Sequence, residues 1–400
     1  MNNITLESYR QIAPPGVIDL AYKLAEQLKG RSLLHVNSTR WGGGVAEMLH
    51  RLVPLMKDLG IQVRWDVIEG SSEFYQVTKG FHNALQGENQ TISPAMYEEY
   101  VNINRKNGRK MDLEADLVVI HDPQPAALVY KKKKKSPWLW RCHIDASHPQ
   151  RKVWNFLKQY ISKYDGAIFS LPDFAQKLNI PQILMYPSID PLSDKNRDLT
   201  EAEIEAAIGR FNIPRHKPII LQVSRFDRFK DPIGVIAAYQ MVKKYNDCCL
   251  VLAGGGAADD PEGLAVLEQV KSAAAEDEDI IVLDLPPDSN IEINALQRIA
   301  TVVLQKSLKE GFGLTVAEAM LKGKPVLGGF VGGITVQVVY GQTGYTVHSV
   351  EGCAYRIRYL LNNPELAQRM GQQAKEYTRR NFLITRHLCD YLGLMRLYVG

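Results

Sequence analysis

The sequence predicts an α/β protein of two domains, each a parallel sheet flanked by helices, and three observations carry that prediction. A chain of 400 residues with 45% apolar content has enough material for two separate cores. Short β-branched runs alternate with longer amphipathic stretches, the pattern of repeated strand–helix units. The alternation also comes in two series, separated by a polar, proline-punctuated segment at 187–218.

The first series reads as strands at SLLHVN (32–37), QVRWDVI (62–68), LVVIHD (117–122), WLWRCHI (138–144), GAIFSL (166–171) and QILMYPS (182–188). The segment 187–218 follows as an interdomain link, with a charged helix inside it. The second series reads as strands at PIILQVS (218–224), CCLVLAG (248–254), IIVLDL (280–285), TVVLQKS (301–307) and KPVLGG (324–329). The tail from 364 to 400 reads as two or three helices. The expected domains are therefore 1–195 and 196–382, with the last helix, about 383–400, crossing back onto the first.

Lys and Arg together number 48 against 44 Asp and Glu, a net charge of +4, too weak and too scattered for a nucleic-acid footprint. An anionic small molecule stays open as a ligand. Five cysteines, an odd number without metal-type spacing, read as reduced thiols. The start MNNITLESYRQIAPPGV has no charged-then-apolar leader pattern, and no apolar run approaches the roughly 18 residues of a membrane span. A cytoplasmic protein without a membrane partner is expected, so the Asn-X-Ser/Thr matches at Asn3, Asn37 and Asn89 carry no glycosylation meaning. The lysine run at 131–135 reads as a solvated loop.

Two parallel sheets joined by one link leave a cleft at the carboxyl ends of their strands, where such sheets bind ligands. Gly42, Gly43 and Gly44 follow the first strand where a loop becomes a helix; they suit either backbone approach to an anion or a tight structural turn. Arg225 and Lys230 share the loop after PIILQVS. Two cations there suit a diphosphate, Arg forking onto two oxygens and Lys acting as a point charge, although either alone is commonly a surface charge. In KEGFGLTVAEAMLKGKPV, Glu310 lies in a loop, Gly311 and Gly313 free the backbone, and Leu314 opens a helix whose first N–H groups lack internal partners. Those amides suit phosphate. Glu318, a turn further on, suits a hydroxyl pair such as a ribose diol, and Glu310 suits a sugar ring, the bland reading of each being a helix-start carboxylate.

At this point the residues resemble a known family. EGFGLTVAE is similar to the Glu-x7-Glu motif of retaining glycosyltransferases of the GT-B fold, two Rossmann-like domains facing across a cleft, among them glycogen synthases and trehalose-phosphate synthases. SRFDRFKD resembles that family's Arg/Lys diphosphate motif. The longer strings HVNSTRWGGGVAEML, IHDPQPAAL, WRCHIDAS, DDPEG and KEGFGLTVAEAM resemble the trehalose glycosyltransferring synthases, which join a nucleotide-activated glucose to free glucose, reversibly. The resemblance spans nearly the whole chain.

It implies roles residue by residue. Arg225 and Lys230 would hold the donor diphosphate with the amides of Gly43, Gly44, Leu314 and Thr315. Glu318 would bind the ribose, and Glu310 with Gly311, Phe312 and Gly313 the transferred glucose. His143 matches the family's histidine beside the donor sugar. Asp122, Gln124, Arg40 and Trp41 would meet the acceptor, Trp41 stacking on a sugar face unless it merely packs. Leu285 opens the Leu-Pro-Pro-Asp segment expected to face the nucleobase, without distinguishing UDP-, ADP- or GDP-glucose. Glu310 is not assigned as a nucleophile; same-face substitution is expected, with the departing phosphate taking the acceptor's proton. No tightly bound cofactor and no divalent metal is demanded. Asp277-Glu-Asp279 matches an Asp-x-Asp metal signature, but reads as a solvated acidic helix end. A homodimer is the implied assembly. The alternatives are another sugar or polyol as acceptor, or a nucleotide-sugar epimerase.

Overall fold

A computed structural model describes residues 4–41, 43–133, 135–255 and 261–400. Gly42, Asn3, Lys134, Asp259 and Asp260 from the motifs above lie outside them. The chain divides into two compact units, Met1–Ser188 with Ile384–Gly400, and Ile189–Leu383.

In the first unit the strands are β1 (Ser32–Asn37), β2 (Gln62–Val67), β3 (Leu117–His121), β4 (Trp138–Cys142), β5 (Gly166–Phe169) and β6 (Gln182–Leu184), ordered β2-β1-β3-β4-β5-β6 and all parallel. Every residue of β3, β4 and β5 is buried. Helices cover both faces of such a sheet, which explains why these strands are continuous apolar runs rather than alternating ones. The helix Ile384–Val399 packs on the helix Val17–Glu26 of this unit. His387 on it lies with Nδ1 2.8 Å from the Ser188 hydroxyl.

In the second unit, β7 (Ile219–Val223), β8 (Cys249–Gly254), β9 (Ile280–Asp284), β10 (Val302–Gln305), β11 (Val326–Gly329) and β12 (Gly344–Val347) form a second parallel sheet, ordered β12-β11-β10-β7-β8-β9. Alternate residues enter opposite cores: Ile220 and Leu250 pack on one face, Leu221 and Val251 on the other. The segment after Ser188 belongs with this unit because its backbone is bonded there. Asn294 Nδ2 donates to the carbonyls of Asp194 and Arg197, at 2.8 Å each, and Arg298 Nη2 donates to the Arg197 carbonyl at 2.8 Å.

Both sheets have a switch point, where a central strand has neighbours whose connections leave in opposite directions: β1 between β2 and β3, and β7 between β8 and β10. Ligand crevices open at the carboxyl ends of strands at such points. Among the described residues no helix is long and apolar enough to cross a membrane.

Candidate functional site

The switch point of the second unit gathers the charged residues of two motifs. Lys230 ends a short 3-10 turn, Arg228–Lys230, after β7, and Glu310 follows β10, the neighbouring strand. Lys230 Nζ lies 2.7 Å from Glu310 Oε2, with side chains only 16% and 11% exposed. The same oxygen accepts from Gln305 Nε2 and Ser307 Oγ, at 3.2 Å each. The sequence motifs treat lysine and glutamate as parts of separate subsites, whereas here they form one unit. Arg225 stands apart from this pair, its guanidinium 3.1 Å from Asp227 Oδ2 and its side chain 65% exposed. Asp227 also accepts from the Phe229 amide, so it orders the loop carrying both cations.

Asp231 caps the following helix, Pro232–Lys243, from a left-handed conformation (φ 50°), and pairs with buried Lys306. This holds the end of the Lys230 turn against β10. Neither Lys306 nor Asp231 stands out in sequence, because Lys306 falls inside the strand reading TVVLQKS and Asp231 reads as an ordinary loop charge.

The turn after Glu310 is built by backbone packing. Gly313 caps the helix Leu314–Leu321 at φ 80°, a conformation that disfavours a side chain. Gly332, in the loop after β11, approaches so closely that a Cβ there would lie 1.7 Å from the Glu310 carbonyl oxygen. Gln337 Nε2 donates to the Phe312 carbonyl at 2.6 Å, the Gly333 amide donates to the Gly311 carbonyl at 3.0 Å, and the Phe312 ring is buried edge-on against Phe382. Phe312 is thus a structural wedge whose backbone shapes the turn. Thr315 Oγ1 donates to Gln305 Oε1 at 3.1 Å, tying the helix start to β10. Leu314 is half-buried at that start. Glu318 is buried one turn on, with Gln297 Nε2 3.4 Å from its carboxylate.

The Leu285 side chain packs in the hydrophobic core with Ala295 and Val316, and its amide donates to Gly254 at 2.8 Å. Its side chain therefore offers no surface to a ligand, and only the backbone of the Leu-Pro-Pro-Asp segment remains for the expected contact with a base. Asp279 is not a solvated helix end: Lys243 and Lys217 bind it at 2.6 and 3.0 Å. It lies just before β9, at the sheet edge opposite Arg225, and these lysines hold its carboxyl below the usual range. The lysine run likewise contains an ion pair, Lys132 to Asp165 at 2.6 Å.

At the first unit's switch point, Gly43 opens the helix Gly43–Asp58 at φ 79°, with Gly44 after it. Arg40 just before donates from Nη2 to the Trp65 carbonyl at 2.5 Å and lies over the Trp65 ring. Trp41 is 78% exposed, its ring 5.4 Å from that of His50. After β3, Asp122 sits at φ 64°, an uncommon conformation for a residue with a side chain. Its Oδ1 accepts from the His143 amide at 2.8 Å, and its carbonyl accepts from Trp140 Nε1 at 2.9 Å. Burial pushes the Asp122 carboxyl up to about 7, despite the His143 amide and Arg141. Gln124 Oε1 is buried without a hydrogen-bond partner among the described residues, a polar group that a ligand hydroxyl would satisfy. His143 Nδ1 is in the same condition. Its Nε2 lies 3.0 Å from His121 Nδ1, and His121 Nε2 lies 3.0 Å from His35 Nδ1. His121 and His35 escape sequence reading because each sits inside an apolar strand run.

The comparisons with known proteins divide along the same units. The family described as "Trehalose synthase, N-terminal domain" matches residues 35–176, and "Glycosyl transferases group 1" matches residues 203–377. A trehalose synthase of Pyrococcus horikoshii is 50% identical, over 99% of this chain and 97% of its own length. One of Thermococcus litoralis is 48% identical, over 98% and 97%. Among solved structures, a UDP-forming α,α-trehalose-phosphate synthase of Burkholderia xenovorans superposes with a TM-score of 0.73, over 92% of this chain and 99% of that one, at 15% identity. That likeness establishes the GT-B fold, two Rossmann-like parallel sheets with flanking helices.

Proposed function

Because the chain belongs to the trehalose synthase family of the group 1 glycosyl transferases, we propose that it moves glucose from a nucleotide-glucose to free glucose, reversibly and with retention of configuration, forming trehalose. The observation that carries this reading is the Lys230–Glu310 pair at the carboxyl ends of β7 and β10. A cation bound to a carboxylate in a half-enclosed turn suits a substrate that is itself a diphosphate joined to a hexose. Lys230 would meet the diphosphate, Glu310 the sugar hydroxyls, and exposed Arg225 would swing from Asp227 onto the phosphate oxygens. The amides opening the helix Leu314–Leu321 add partial positive charge. The buried Glu318 carboxylate suits a ribose diol only at the floor of that subsite.

The departing phosphate needs stabilisation as its charge develops, and Arg225, once turned from Asp227, would supply it together with Lys230. Glu310 is poorly placed as a nucleophile, since one of its oxygens already accepts from three donors. This favours attack on the same face of the sugar through an oxocarbenium-like state, with the leaving phosphate accepting the acceptor's proton. On the acceptor side, Asp122 and Gln124 would read hydroxyl groups. Trp41 is available as a stacking surface, while Arg40 supports the loop through Trp65.

The test is incubation with UDP-, ADP- and GDP-glucose against a panel of free sugars and polyols, followed by identification of the linkage. Release of nucleoside diphosphate matched by an α,α-1,1-linked disaccharide of glucose is expected. A product from another acceptor would redirect the assignment within the transferases, and an epimerised nucleotide-sugar formed without acceptor would overturn it.

A further inference from the structure

His35, His121 and His143 form an end-to-end chain across three neighbouring strands. His35 lies in β1, His121 ends β3, and His143 follows β4. Both N···N contacts are 3.0 Å, and the His121 and His143 rings are nearly parallel, 13° apart. The outermost nitrogens, His35 Nε2 and His143 Nδ1, are both buried without a partner among the described residues. Burial keeps all three rings neutral, His35 down to about 3 and the other two well below the usual histidine range. The charged and titratable groups around them reinforce this: Arg141 and His387 act on His143, and Arg141 acts on His121.

Neutral imidazole carries one N–H and one bare nitrogen. Each N···N contact needs a single proton, so three neutral rings satisfy both contacts in only two ways. Either every ring is protonated on Nδ1, and His143 Nδ1 is an outward donor, or every ring is protonated on Nε2, and the unpaired donor is His35 Nε2. A buried N–H without an acceptor is costly and rare. His35 is fully enclosed, its ring centroid 5.3 Å from that of Tyr391 in a T-shaped contact, whereas His143 is half-buried beside Asp122. Either arrangement leaves one buried nitrogen with an unpaired proton, and of the two rings only His143, half-buried at a strand end, is near enough to the surface for a bound ligand to supply the acceptor.

We propose that His35 and His121 are positioning residues that fix His143 in its Nδ1–H form, so that His143 offers a hydrogen-bond donor to a sugar oxygen and cannot act as a base through that nitrogen. The link to sugar rests on the transferase reading above; the proton arrangement does not. It has a second consequence: the donor character of His143 depends on a residue two rings away that touches no substrate.

The test uses the full-length protein with nitrogen-labelled histidine and no added ligand, read by long-range proton–nitrogen correlation, with His143 assigned by its loss in His143→Gln. A protonated Nδ1 and a bare Nε2 on both His121 and His143 are expected. The reverse pattern in the wild-type protein overturns the proposal, whatever the variants do. His35→Phe keeps the ring volume and removes the first donor; it should leave His143 as a mixture of the two forms and lower kcat/KM about twofold, the share of His143 no longer in the donor form. His143 remaining in a single form in a folded His35→Phe protein also overturns it. If the wild-type protein transfers no sugar, the functional reading fails while the nitrogen pattern still decides the proton arrangement.

Discussion

Replacing Lys230 by Met strips the cation from Glu310, and the structure sets the size of the effect. At 2.7 Å the two groups attract by about 6 kcal/mol at an effective dielectric of about 20, most of it offset by desolvation. Removing one partner of a buried pair costs about 3–5 kcal/mol, because the other charge stays behind. Here Gln305 and Ser307 still donate to Glu310 and offset about 1–2 kcal/mol. The net loss is about 2–3 kcal/mol. For a cooperative unit of this size that lowers Tm by about 5–10 °C. Adding Glu310→Gln removes the stranded charge, so the double variant should recover most of the lost Tm in a thermal scan. It should not recover transfer activity, since neither group that meets the donor is restored. A single variant within about 1 °C of wild type, or a double variant no more stable than the single, would refute the coupling.

Arg225→Ala removes an exposed side chain, so Tm should move by less than about 2 °C while turnover falls about a hundred- to a thousandfold; unchanged turnover excludes Arg225 from stabilising the leaving group. Asp122 is held near 7 against an ordinary 3.8, so the folded protein keeps a proton that the unfolded chain has released. Its contribution therefore favours folding at low pH and is lost as pH rises from about 4 to 7. Asp122→Asn should become progressively more stable relative to wild type across that window in parallel melts, and a constant difference contradicts the burial argument. Gly332→Ala would drive a methyl group into the Glu310 carbonyl from a backbone at φ 47°. It should lose both stability and transfer activity, the latter far more than Gly393→Ala in the helix Ile384–Val399, where a Cβ meets open space.

Eleven of the strands were legible because buried parallel strands are unbroken apolar runs between turn signals. SLLHVN is read to the residue, while WLWRCHI is read two residues too long, since apolar character continues past the last ladder bond at Cys142. The strand Gly344–Val347 was missed: four residues opening on glycine carry too little pattern to separate from a loop. At the site, strand-end position exposes Arg225, Lys230 and Glu310, since charges there break an apolar run, while Asp122 enters only through the family resemblance. Sequence does not show which of these touch. The pairing of Lys230 with Glu310 depends on β7 and β10 being neighbours, a fact of strand order across 80 residues. The histidine chain needs the mutual alignment of β1, β3 and β4. Strand-end position alone says nothing about which way a side chain points, as the core-packed side chain of Leu285 shows.

The most direct measurement is a crystal structure of the full chain with a nucleotide-glucose that it turns over. Diphosphate oxygens within hydrogen-bond distance of Arg225 and Lys230 are expected, with hexose hydroxyls on Glu310 and the amides of Gly311 to Gly313. A diphosphate bound elsewhere, with the Lys230–Glu310 contact undisturbed and no sugar against it, would contradict the account at its base.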